Sequence, residues 1–133
     1  MEAKIESIAE GTITSPMGFR VGATYAGIKK EADHALDLGI LSSDTPCLAA
    51  ALFTTNKVKA APIVLCQQRL QAGKATALVV NSGCANAFTG QQGLRDAAEM
   101  VDLVAERIRV SPEDVLVAST GVIGERLPMK LIR

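Results

Sequence analysis

Two short apolar runs, ATALVV at Ala75–Val80 and VLVASTGVIG at Val115–Gly124, decide the fold of this 133-residue chain. ATALVV is continuously apolar and rich in Val, and reads as a strand buried on both faces. Val115–Ala118 reads as a central strand that breaks into Ser119-Thr120-Gly121. Between the two lies the best helix of the chain. Its apolar positions Leu94, Ala97, Ala98, Val101, Val104, Ala105 and Ile108 recur at intervals of three and four, and Arg95, Asp96, Glu99, Asp102, Glu106 and Arg107 form a solvated opposite stripe. Thr89 with Gln92 makes a capping-box pattern at its start. Strands separated by an amphipathic helix predict an α/β fold, with a mixed, largely antiparallel sheet covered by helices.

Working outward, Ser15-Pro16-Met17-Gly18 reads as a turn before an extended segment, Phe19–Ile28. The charged stretch Lys29–His34 predicts a loop. Asp37–Leu41 and Leu48–Thr54 read as an antiparallel pair of strands around the turn residues Ser42–Pro46. Pro62–Leu70 predicts a helix with Pro in its first turn and Gly73 as its stop. Asn81–Ala87, NSGCANA, reads as a loop, Ser111–Asp114 as a turn, and Pro128 as the start of a further helix.

Hydrophobic residues make up 48% of the chain but aromatics only 3%, so the core must be built from Ala, Val, Leu and Ile packed closely. Fourteen basic and fourteen acidic side chains cancel, with no basic block, which argues against nucleic acid as a partner. No apolar run approaches membrane-spanning length, and the start is charged rather than signal-like. Cys47, Cys66 and Cys84 fit neither a zinc site nor a disulfide framework, and a reducing, cytoplasmic setting is the expectation.

The candidate chemistry lies in the two small-residue stretches that follow the strands. A hydroxyl residue and a glycine at a strand end can aim an O–H and a backbone N–H at one point, the arrangement a developing oxyanion needs. Thr120 and Gly121 are the candidates, against the plainer reading of a sharp turn in which glycine supplies a positive φ. Ser119 or Thr120 as nucleophile lacks the G-x-S-x-G setting. Cys84 as nucleophile would depend on His34, the one histidine, and a buried structural thiol is preferred. A small anion- or nucleotide-binding α/β domain is the alternative function, although neither GxGxxG nor GxxxxGK[ST] occurs.

Taken in order, Gly11–Lys29 (GTITSPMGFRVGATYAGIK), Phe53–Pro62 (FTTNKVKAAP), Asn81–Ala87 (NSGCANA), Ala118–Gly124 (ASTGVIG) and Leu127-Pro128-Met129 resemble the bifunctional ornithine acetyltransferase / glutamate N-acetyltransferase family of arginine biosynthesis. The resemblance covers nearly the whole chain and marks residues 1–133 as the N-terminal, α-chain part of one acetyltransferase domain. It implies a layered α/β/β/α arrangement and a precursor that cleaves itself. A β chain then carries an N-terminal Thr, a nucleophile whose own α-amine serves as base. It also implies acetyl transfer from N-acetylornithine to glutamate through an acyl-enzyme, with acetyl-CoA as a further substrate in bifunctional members. Thr120 and Gly121 match the family's oxyanion hole. No resident cofactor and no metal are implied, and the expected assembly is an α2β2 heterotetramer. The chain stops at Arg133, short of the family's cleavage site and nucleophile, so the expectation is that it is inactive alone.

Overall fold

The computed structural model describes residues 7–29 and 35–133. Strands β1 (Phe19–Thr24), β2 (Leu38–Leu48), β3 (Lys74–Cys84) and β4 (Val115–Val122) form one sheet in that order. β1–β2 and β2–β3 are antiparallel, and β3–β4 is parallel. A parallel pair needs a crossover, which is supplied by α2 (Gly90–Ile108). Helix α1 (Ala61–Arg69) lies between β2 and β3 in sequence, and a short α3 (Met129–Ile132) follows Pro128. The mixed, mainly antiparallel sheet with covering helices is therefore the architecture of the chain.

The amphipathic pattern of α2 accounts for the core. Ala97, Met100, Val101, Val104 and Ala105 are buried against Ala77 and Val79 of β3 and Val115 and Val117 of β4. Burying a side chain of Val or Met size contributes about 1.5–3 kcal/mol. Small residues on both surfaces let helix and sheet approach closely. Helix α1 packs along β4 through two polar side chains. The Cys66 thiol donates to the Val117 carbonyl at 3.1 Å and accepts from the Val117 amide at 3.3 Å. Arg69 donates to the carbonyls of Val115, at 2.8 Å, and Pro112. α1 ends through a 3-10 turn at Gly73, whose φ of +65° is the left-handed stop that glycine adopts freely.

Several sequence expectations are corrected by tertiary pairing. Leu48–Thr54 is not a strand, and Ser42–Pro46 is not a hairpin turn. Instead β2 runs through, with Ser43, Asp44, Thr45 and Pro46 set against Thr76 in a bulge between the pairs Ser42–Ala77 and Cys47–Ala75. Pro46, which has no N–H, is tolerated at such a bulge. The Ser43 hydroxyl fastens the bulge by reaching the carbonyls of Thr45 (2.6 Å) and Thr76 (3.2 Å). The extended segment from Phe19 leaves the sheet after Thr24 rather than at Ile28.

β3 is fully buried on one face only, at Ala77, Val79 and Asn81, while Leu78 and Val80 are half-buried. Val115–Ala118 belongs to an edge strand rather than a central one, and that strand continues to Val122. Asn81–Cys84 extends β3 instead of opening a loop, because β4 offers a ladder to pair with. The capping box does not form: Thr89 donates its hydroxyl to Asn86 (2.7 Å), and Gln92 donates to Asp96 (2.6 Å). That bond lets Asp96 be buried, against its expected place on the solvated stripe. His34 and most of the expected Lys29–His34 loop lie outside the described residues.

Candidate active site

The carboxyl ends of β3 and β4 lie side by side, pairing Asn81 with Ser119, Ser82 with Thr120, Gly83 with Gly121 and Cys84 with Val122. Side chains alternate between the faces of a strand. Val115, Val117 and Ser119 thus point toward the helices, while Leu116, Ala118 and Thr120 point to the other face. Thr120 is exposed there. The sequence-derived pair Thr120–Gly121 therefore sits within the last paired residues of the parallel strands, with the hydroxyl open to solvent.

Gly83 and Gly121 form a rung without side chains. Their φ angles are +113° and +129°, in the region that favours glycine. A Cβ on Gly121 would collide with the carbonyl carbon of Gly83 and lie 2.5 Å from the Cys84 nitrogen. A Cβ on Gly83 would lie 3.1 Å from atoms of Ile28 and Lys29. Here glycine serves close backbone approach as well as a positive φ. Beyond the rung, the Ala85 amide donates to the Val122 carbonyl and the Gly124 amide to the Ala87 carbonyl, both at 2.9 Å.

Three buried polar residues hold this end of the sheet, none of them singled out by the sequence. Asp37, 2% exposed, accepts the backbone amides of Ala26 (2.7 Å), Ile28 (2.6 Å) and Lys29 (3.0 Å). Its carbonyl takes the Ser82 amide at 2.8 Å, so one residue ties the 26–29 segment to β3. Burial alone would raise the carboxyl's pKa, but the amides of Lys29, Ala26, Ile28 and Gly27 outweigh it and hold the pKa below its ordinary value. Asn81 donates its amide to the Cys84 carbonyl at 2.8 Å. Asn86, at a φ of +47°, donates to the Gly93 carbonyl (2.8 Å) and accepts from Thr89, joining NSGCANA to α2. Asn is the side chain other than glycine that enters the left-handed region most readily, and this was the available signal.

Cys84 is buried and donates to the Glu125 carbonyl at 3.2 Å. Burial pushes its thiol pKa up, the charges of Glu125 and Asp96 add to the rise, and a bond from the Asn86 amide opposes it. A thiol held protonated is a poor nucleophile, in keeping with the structural reading. Among the described residues no group of three or more His, Cys, Asp and Glu side chains is arranged to hold a metal ion. An open cavity of about 520 Å³ lies elsewhere, lined by Val58, Val64, Phe88 and Leu94 among others, and takes in neither Thr120 nor Gly121. No helix is long and apolar enough to cross a membrane among the described residues.

With this geometry in place, comparison with known proteins identifies the family. The ArgJ family model matches residues 20–133. The arginine biosynthesis bifunctional protein ArgJ of Dehalococcoides mccartyi is 54% identical over 133 residues, covering 100% of this chain and 33% of the relative. That of Geobacter sulfurreducens is 55% identical over 116 residues, 87% of this chain and 29% of the relative. The crystal structure of the Bacillus halodurans ArgJ protein superimposes with a TM-score of 0.86 at 43% identity, covering 92% of this chain and 63% of that one. Ornithine acetyltransferase from Mycobacterium tuberculosis, solved in complex with ornithine, gives 0.84 at 42% identity, covering 90% and 64%. The chain belongs to the ArgJ family. It spans about a third of the length of the curated relatives it matches.

Proposed function

We propose that the protein of which this chain forms a part transfers acetyl groups in arginine biosynthesis, from N-acetylornithine to glutamate. In this reading, Thr120 and Gly121 are its oxyanion-stabilising donors. Family membership and the names of the relatives support the reaction class. The observation that carries the residue assignment is the exposed Thr120 hydroxyl beside Gly121, where the backbones of β3 and β4 approach closely.

Attack on the acetyl carbonyl turns its oxygen into an alkoxide in each tetrahedral intermediate. A hydroxyl and an amide N–H fixed in advance stabilise that charge without reorganising at the moment of reaction. The nucleophile is the N-terminal Thr of a β chain released by self-cleavage, with its α-amine as the base. The β chain supplies the nucleophile, which takes the acetyl group as ornithine leaves with a protonated amine. The glutamate amine then attacks the acyl-enzyme and the Thr hydroxyl leaves, in an α2β2 assembly in the cytoplasm. Without the β chain the present segment is inactive. Acetyl-CoA serves as an alternative acetyl donor, and no metal or resident cofactor takes part.

The test is Thr120→Ala in the full-length protein. Loss of one such donor lowers kcat roughly 10²–10³-fold. Acetyl transfer from N-acetylornithine to glutamate at undiminished kcat would remove Thr120 from the role.

A further inference from the structure

Two polar atoms next to the Thr120–Gly121 segment are sealed from solvent and have no hydrogen-bond partner among the described residues: Oδ1 of Asn81 and Oγ of Ser119. Their residues are direct partners across β3 and β4. Alternation puts both side chains on the helix-covered face, in line with the pairs Ala77–Val115 and Val79–Val117. The orientation of the Asn81 amide is fixed by its own bond, since Nδ2 donates to the Cys84 carbonyl. The remaining atom is therefore an acceptor oxygen, and the unmatched atom on its register partner is a hydroxyl able to donate or accept. The two do not bond to each other.

Buried polar groups left unmatched are rare in folded proteins, because each forfeits its bonds to water without replacement. Whatever satisfies these two must be small, since neither atom is reached by solvent. It must donate to the Asn81 oxygen and also bond to the Ser119 hydroxyl. One water molecule has that chemistry.

We propose that Asn81 and Ser119 bind a single internal water between β3 and β4, and that this bridged pair positions Thr120 and Gly121. The pair is the last rung bearing side chains on the covered face before the Gly83–Gly121 rung. Those glycines carry no side chain to hold the strands on the covered face, so the Asn81–Ser119 pair sets the strand spacing there, two residues before Gly121. Displacing a donor by about an ångström can cost up to about 100-fold in rate. The positioning half of this proposal rests on the oxyanion reading of Thr120 and Gly121; the water site does not.

The experiment is made on the full-length protein with three variants, Ser119→Ala, Ser119→Thr and Thr120→Ala, together with a high-resolution crystal structure of the parent. Ser119→Ala is expected to lower kcat about 10-fold or more, with KM for N-acetylornithine within about two-fold. Ser119→Thr, which keeps the hydroxyl on a residue suited to a strand, restores most of it. The crystal structure shows one ordered water bonded to both Asn81 Oδ1 and Ser119 Oγ. Unchanged kcat in Ser119→Ala, beside a large loss in Thr120→Ala, overturns the positioning role and leaves the oxyanion reading standing. Unchanged kcat in Thr120→Ala takes down the oxyanion reading and the positioning role together. A direct Asn81–Ser119 bond, or a protein group in place of the water, overturns the water site.

Discussion

Where β3 and β4 finish, the sheet is held by buried polar residues bonded to the backbone; where β2 bulges at the opposite end, the Ser43 hydroxyl is joined by two ion pairs whose cations are exposed. At the first end Asp37, Asn81 and Asn86 are each 2% exposed or less, and their contacts fix where chain segments lie relative to one another. At the second, Arg20 and Asp44 meet at 2.7 Å with side chains 77% and 49% exposed, and Lys74 meets Asp114 at 3.3 Å. Solvent competes with exposed pairs and weakens them, whereas a buried group that loses its partner has nothing to replace it. Positional precision is concentrated at the end that carries Thr120 and Gly121, and the bulged end tolerates irregularity.

The most severe way to break that contrast is Gly121→Ala. The added methyl has no space against the Gly83 backbone, and the full-length protein should lose more than about 4 kcal/mol or fail to fold, read from urea unfolding. Gly124→Ala is the control, with a φ of +85° but nothing within 4 Å of the new atom. It should cost only the conformational penalty of about 1–2 kcal/mol. Equal losses in the two variants would mean that conformation, not close approach, sets the requirement at Gly121.

Asp37→Asn is the next largest. Removing the charge that three described amides bond should cost about 2 kcal/mol at neutral pH. Because the folded carboxyl's pKa is depressed, its contribution is complete above the unfolded value of about 4 and is lost as pH falls through the folded value. Parent and variant should therefore converge in stability below about pH 4, and a gap that stays constant through that range would contradict the assignment. At the bulged end, Arg20→Ala should change stability by less than about 0.5 kcal/mol, and by less still at high salt. A loss comparable to that of Asp37→Asn would erase the distinction between the two ends.

Features that depend on local pattern were legible in the sequence. The spacing from Leu94 to Ile108 defined α2 and most of its buried stripe (though not Met100), Pro62 and Gly73 bracketed the first helical segment, and the apolar runs located β3 and β4. Features that depend on a distant partner were not. Asn81–Cys84 has the composition of a loop and becomes strand only because β4 pairs with it. Ser43–Pro46 has the composition of a turn, yet β2 continues past it because β3 lies alongside and the Ser43 hydroxyl reaches Thr76. Asp37 looked like the polar start of a strand, since its partners are backbone amides and leave no side-chain signature. At the candidate site, Thr120 and Gly121 stood out by residue type. The need for glycine on both strands emerged only once Gly83 was seen opposite Gly121.

The bonds from α1 to β4 bear on how the chain meets other chains. An edge strand ordinarily presents a row of free amides and carbonyls on which a second polypeptide can lay down another strand, the first step toward swapping or aggregation. On β4 that row is occupied by a helix: Cys66 takes both polar groups of Val117, and Arg69 takes the carbonyl of Val115. The sheet therefore cannot grow in register past these residues. A buried thiol and a guanidinium act together there as a molecular end-stop, and association along Val115–Val117 has to use side chains instead of strand addition.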